Sequence, residues 1–166
     1  MSLVDLAGLD RSAGLLIDAN LLVLFAVGRV NRNRIQDFKR TSGYDHEDYD
    51  LLVRTMERFG KLFTVAHVMA EVSNLIDLAG REGLQARRVL AATIAILHEP
   101  HVPSLQAAGG SYYEALGLAD SAISIAAREK KCSVLTDDLD LYRSLAREGL
   151  PVVKFSHLRE RNWQRG

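Results

Sequence analysis

The sequence predicts an α/β fold in which a parallel sheet is covered by helices on both sides. Three observations predict it. Short runs such as Gly14-Leu-Leu-Ile17 and Ser133-Val-Leu-Thr136 are largely apolar without alternation, as strands buried on both faces are. Between such runs lie stretches with apolar residues at helical spacing. The two kinds of segment alternate along the whole chain, and parallel pairing needs a crossover between successive strands.

In order, Gly14 to Ile17 reads as a first strand ending at Asp18, and Asn20 to Val27 as a helix stopped near Gly28. An extended segment at about 29–60 follows. Arg29, Arg32, Arg34, Lys39 and Arg40 make a basic block around Asp37, and Asp45, Glu47, Asp48 and Asp50 make an acidic one. Tyr49, Leu52, Val53, Met56 and Phe59 then repeat at helical spacing up to Gly60. Leu62 to Ala66 reads as a second strand, and Val68, Val72, Leu75, Ile76 and Ala79 as one helical stripe. Leu84 to Leu97 is predicted to turn Ala86, Val89, Leu90, Ile94 and Leu97 inward. His101 to Pro103 is predicted as a marginal strand, because proline lacks the N–H a sheet centre needs. Beyond Gly109-Gly110, Tyr112 to Lys130 reads as a helix, Ser133 to Thr136 as a strand, and Leu141 to Arg147 as a short helix closed by Gly149. Pro151 to Phe155 suits an edge strand, and a basic tail at 157–166 is predicted to be loosely ordered.

Composition bounds the classes. The 166 residues suit one domain spanning 1–166, and 48% apolar with 25% charged residues excludes disordered and fibrous chains. Twenty-one Lys and Arg against twenty-one Asp and Glu exclude a basic nucleic-acid coat, though not a local basic patch. A single cysteine, Cys132, excludes an intramolecular disulfide framework and Cys-rich zinc modules. The longest apolar run, Leu21 to Val27, is too short for a bilayer, and Met1 to Asp10 carries two acids and no base, unlike a secretory signal. A cytoplasmic domain without a membrane partner is expected.

Four acids stand out by location. Asp18 ends the first strand, and Asp138 follows the strand before it, inside Thr136-Asp-Asp-Leu-Asp140; ligands of open parallel sheets collect at such carboxyl ends. Asp120 opens a helix, and Glu71 lies between Val68 and Leu75, bordering a buried face. Each also has a plain structural reading. Asp18 and Asp138 suit helix N-caps, Asp120 suits the positive end of a helix dipole, and Glu71 suits a solvated helix surface. Function requires convergence, because crowded carboxylates repel one another and a site that keeps them usually holds a hard cation.

Leu15-Leu-Ile-Asp-Ala-Asn20, Val68-Met-Ala-Glu-Val72, Gly117-Leu-Ala-Asp-Ser-Ala-Ile123 and Val134-Leu-Thr-Asp-Asp-Leu-Asp140 together resemble the PIN-domain nuclease family, over about Leu15 to Phe155. The resemblance implies a three-layer α/β/α sandwich with a central parallel sheet of four or five strands. It implies a metal-dependent endoribonuclease that hydrolyses RNA phosphodiester bonds, akin to the toxins of toxin–antitoxin pairs. Asp18, Glu71, Asp120 and Asp138 would be the catalytic, metal-binding acids, with Mg²⁺ or Mn²⁺ as cofactor, and Asp140 would join them through water. Asn20 would support Asp18, and Thr136 would orient a carboxylate or a phosphate. Oxygen donors suit these hard ions. Two departures from the family pattern are the long interval from Asp18 to Glu71 and Leu141, where many of the toxins have Phe. Candidate partners are RNA, an antitoxin protein and a second copy of the chain.

Arg29, Arg32, Arg34, Lys39 and Arg40 are the RNA-binding candidates, since phosphate contacts need cations, and they equally suit a solvated surface. His98-Glu-Pro-His101 reads as a surface turn, His67 as a helix-start residue, Cys132 as a buried small side chain, and Tyr112 and Tyr113 as packing residues or base-stacking surfaces. A non-catalytic RNA-binding or scaffold domain on the same fold is the alternative, although such a domain would be expected to lose acids. A phosphatase of the haloacid-dehalogenase type would need Asp at position 20, where this chain has Asn20.

Overall fold

The structure, a computed structural model, describes residues 6–164. A 3₁₀ turn (Leu6–Gly8) leads to β1 (Leu15–Ile17), α1 (Ala19–Val30), α2 (Arg34–Asp37), α3 (His46–Glu57), β2 (Leu62–Phe63), α4 (Ala66–Leu75) and α5 (Gly80–Ile96). Then come α6 (Ser104–Ala108), α7 (Tyr113–Leu116), α8 (Leu118–Lys130), β3 (Ser133–Thr136), α9 (Leu139–Arg147), β4 (Val152–Lys154) and α10 (Phe155–Trp163).

The four strands form one all-parallel sheet in the order β2-β1-β3-β4, flanked by helices in a three-layer α/β/α arrangement. Every residue of β1 and β3 is buried, which is why these runs carry no polar alternation. Leu16 pairs with Phe63 on one side and Val134 on the other. The strands paired on both sides are thus the two that are buried throughout, and the proline-flanked β4 lies at an edge.

The chain leaves β1 toward β2 on one side and returns to β3 on the other. The gap between β1 and β3 is therefore a topological switch point, where crossovers diverge and leave a crevice at the carboxyl edge. The Asp18 N–H donates to the Leu135 carbonyl at 3.0 Å, which carries the ladder one step past β1 and holds Asp18 at that edge.

Several boundaries differ from expectation, each for a physical reason. α1 runs through Gly28 to Val30: the glycine is a contact point, since a Cβ there would lie 2.3 Å from the Tyr49 ring. α3 begins before Tyr49 because Asp45 and Asp48 form a reciprocal capping box. Residues 112–130 are not one helix; Gly117, at φ +90°, separates α7 from α8. Ile94 is 42% exposed, since α5 buries only the narrow stripe Ala86, Leu90 and Thr93. No strand forms at 101–103; among the described residues, the only pairing beyond β2 is an isolated bridge between Phe63 and His98.

The tail at 157–166 also needs correction over its described part. Residues 155–163 form α10, with Phe155 fully buried and Leu158 buried one turn later. The Arg159 Nε donates to Asp48 Oδ1 over 2.7 Å and its Nη2 to the Gly43 carbonyl over 3.0 Å. Its guanidinium also lies over the rings of Tyr44 and Trp163. The tail and the segment at 29–60 thus order each other. Residues 165 and 166 lie outside the described part. Among the described residues, no helix is long and apolar enough to cross a membrane.

Candidate acidic site at the carboxyl edge of the sheet

Asp18 is buried, at 7% exposure, and both its oxygens are engaged. Oδ1 accepts the Ala19 N–H at 2.7 Å, capping α1, and Oδ2 accepts the Thr136 hydroxyl at 2.6 Å. Burial pushes the carboxyl above its ordinary range; Thr136 and Ala19 pull it back, and the charges of Asp138 and Asp137 push it further up. Thr136, fully buried at the end of β3, also accepts the Asp138 N–H at 3.0 Å. One hydroxyl therefore joins the ends of the two central strands.

Asp138 is exposed and caps α9, its Oδ1 accepting the Leu141 N–H at 2.8 Å. The capping geometry anticipated for Asp18 and Asp138 is thus present at both. Asp120 sits half-buried in the first turn of α8. Its carboxyl is pushed up to about 7, first by burial and then by the negative charges of Asp18, Asp138 and Glu71. Glu71, on α4, is raised by partial burial and by Asp18. It is exposed, and does not border the buried face as its spacing from Val68 and Leu75 suggested.

Four elements thus bring Asp18, Glu71, Asp120 and Asp138 into one electrostatic field. None of the four has a Lys or Arg partner among the described residues. They do not form a ready-made cage: among the described residues, no group of three or more acidic, His or Cys side chains is close enough to enclose an ion. The donor set is nonetheless all oxygen, and among the described residues its negative charge meets hydrogen-bond donors but no Lys or Arg. That is the chemistry a hard divalent cation meets.

The supporting residues divide. Thr136 orients a carboxylate through its hydrogen bond. Asn20 is exposed in the first turn of α1 and, among the described residues, makes no hydrogen bond to Asp18. Asp140 is exposed on α9 and is not among the charges acting on Asp18, Glu71 or Asp120.

The basic block is mostly elsewhere and partly spent. Arg32 pairs with Asp50 at 2.8 Å and Arg34 with Glu82 at 2.7 Å. Arg29 occupies the last turn of α1, about 16 Å of helix rise from Asp18 at its start. Lys39 and Arg40 are exposed after α2.

Asp137, adjacent to Asp138, works as a structural hub. It accepts the Tyr44 hydroxyl at 2.8 Å and the Ser156 N–H at 2.9 Å, and lies 3.7 Å from the Lys154 ammonium. The sequence reading missed this role, and missed the Asp48–Arg159 pair; the Asp45-x-x-Asp48 spacing was the one available signal, and it marked a cap only. His67 bonds Ser104 through Nε2 at 2.9 Å, and its buried Nδ1 has no partner. The Tyr112 hydroxyl donates to the Ser144 carbonyl at 3.0 Å, while Tyr113 is 40% exposed. Cys132 is buried, which pushes its thiol up to about 11. Comparison with protein-family models and with curated protein sequences gives no match for this chain.

Proposed function

We propose that this chain is a metal-dependent endoribonuclease of the kind its PIN-like motifs imply. One observation carries the reading: four carboxylates from four elements share a field at the β1/β3 switch point with no cation of the described chain to balance them. Asp18, Glu71, Asp120 and Asp138 would hold Mg²⁺ or Mn²⁺, while the water-mediated role for Asp140 rests on the resemblance alone. When bound, such an ion supplies Lewis acidity toward a phosphoryl oxygen and makes water more acidic.

The chain's own residues do the positioning. Thr136 locks one Asp18 oxygen, so the carboxylate cannot rotate away as charge changes beside it. The Asp138 backbone is held by the same hydroxyl. The first turns of α1, α8 and α9 present N–H groups and positive dipole ends near the acids, an arrangement that favours an anionic phosphate. Without an ion the Asp120 carboxyl is pushed up to about 7, and a cation held there would favour its carboxylate form.

The second reading is a non-catalytic RNA-binding or scaffold domain, favoured by the two caps, since Asp18 and Asp138 would be kept for α1 and α9 alone. Incubation of purified protein with end-labelled single-stranded RNA separates the two. Cleavage that needs Mg²⁺ or Mn²⁺, stops in EDTA and is lost in Asp120→Asn supports the nuclease. Full activity of Asp120→Asn, or no cleavage with either ion, removes it. A role as the toxin of a toxin–antitoxin pair in the cytoplasm, with an antitoxin or a second copy as partner, rests on the same resemblance.

A further inference from the structure

At the far end of α1 from the acids lies an open groove of about 610 Å³ between α1 and α3. Arg29, Asn31 and Arg32 line it from the α1 end, and Tyr49, Asp50 and Arg54 from α3. The two helices meet closely here because Gly28 leaves room for the Tyr49 ring. The floor is a helix backbone packed against a buried ring.

The charge in the groove is unbalanced. Its one acid, Asp50, is occupied by Arg32 at 2.8 Å, and the Arg32 guanidinium lies 5.5 Å from the Tyr49 ring centroid. Among the described residues neither Arg29 nor Arg54 has a hydrogen-bond or acidic partner. The carbonyl end of α1 offsets only about half a charge. Two free guanidinium forks beside a third held against a ring present planar donor sets matched to phosphate oxygens.

We propose that this groove binds the phosphate backbone of a single-stranded RNA, as an anchoring site separate from the acids. The placement sets a minimum length for any ligand that engages both sites. About 16 Å of α1 separates Arg29 from Asp18, so one ligand engages both only if it is a chain carrying several phosphates. A mononucleotide cannot reach. Arg54 joins Arg29 in this role beside Arg32, which is shared with Asp50, while Asn31 and Arg34 are excluded from it because both donate to Glu82. The inference rests on the nuclease reading for its choice of RNA, but its test does not require cleavage.

The test is fluorescence anisotropy with a labelled twelve-nucleotide RNA and a labelled trinucleotide, in EDTA, across a salt series. Arg29→Gln/Arg54→Gln should weaken binding of the long RNA about tenfold and lower its salt slope by about 1.4, two contacts at about 0.7 each. The trinucleotide, too short to engage both sites, should bind more weakly than the long RNA and should lose affinity with the same substitutions, because in EDTA the acids offer its phosphates no cation. Arg29→Lys/Arg54→Lys should keep most of the salt slope, and thermal melts should match wild type in both pairs. An unchanged affinity and slope for the long RNA overturns the proposal. So does an oligoglutamate peptide that binds with the same arginine dependence while RNA binding is indifferent to it, which would make the groove a seat for an acidic protein segment. Cleavage with Mn²⁺ is scored separately. Arginine-dependent binding without cleavage leaves the groove standing and removes the nuclease; Asp120-dependent cleavage with arginine-independent binding does the reverse.

Discussion

The Thr136 hydroxyl donates to Asp18 across 2.6 Å, from the end of β3 to the end of β1. This bond sits where the two central strands stop pairing and helices α1 and α9 begin. It makes the orientation of a buried carboxylate depend on a residue more than a hundred positions away.

Thr136→Val keeps the shape and removes the donor. The Asp18 oxygen is then buried without its partner, a loss of about 1–3 kcal/mol. Urea denaturation at pH 7 should show that loss, and Thr136→Ser should recover most of it. In the nuclease, the same change should cost about 10–100-fold in metal affinity or activity, as loss of a ligand's own partner does. A Thr136→Val protein as stable as wild type would mean that the bond is not formed in solution.

The Asp120 carboxyl gives the ion-free protein a pH signature. Its ordinary value is 3.8 and its folded value is about 7, so between these the native state binds a proton that the unfolded chain has released. The stabilising contribution of this group is full below about 3.8 and is lost as pH rises through 7. Urea midpoints in EDTA should therefore fall from pH 4 to pH 8 less steeply in Asp120→Asn than in wild type. Added Mg²⁺ or Mn²⁺ should restore wild type at pH 8 and leave the variant unchanged. Parallel pH profiles for the two proteins would show that the Asp120 carboxyl is not raised in the folded state.

Among the acids, Asp18→Asn, Asp120→Asn, Asp138→Asn and Glu71→Gln should each lower RNA cleavage by on the order of a hundredfold or more, the upper end of what a ligand's outer partners cost. Asp140→Asn should be mild, because Asp140 lies outside the shared field. Asp137→Asn should chiefly weaken folding, seen as a lower melting temperature with cleavage retained below it, because its oxygens hold Tyr44 and Ser156.

Arg159→Met should destabilise the protein by about 3–5 kcal/mol, since Asp48, at 2% exposure, would keep a buried charge without its partner. Pairing it with Asp48→Asn should recover part of the loss. Equilibrium unfolding of the single and double variants reads this directly; additive losses would show that the two side chains are not coupled.

Gly28→Ala offers a contest between two effects. Alanine is the better helix former by about 1 kcal/mol. Its Cβ, however, would stand 2.3 Å from a buried ring, and overpacking of this kind costs about 1–3 kcal/mol. Net destabilisation is expected, with the groove beside Tyr49 distorted. A gain in melting temperature would show that the α1–α3 contact is looser than described.

What was legible in the sequence was local chemistry with a fixed period. The buried strands β1 and β3 announced themselves as apolar runs, the helix stripes as spacing, and Asp18 and Asp138 as polar residues where apolar runs stop. These features depend on neighbours within a few positions, so the chain displays them unfolded. What only the tertiary structure decided were relations between distant positions. Arg34 is tied to Glu82 and Arg32 to Asp50, α10 is ordered by Asp48, Gly28 is a contact and not a stop, and the arginine groove lies a helix length from the acids. Asp137 and Asp138 stand side by side in sequence, yet one holds the core and the other rims the crevice. The physical reason is that charge pairing and packing depend on separation in space, and burial decides how strongly each charge is felt; neither is written in the order of residues until the sheet has brought its strand ends together.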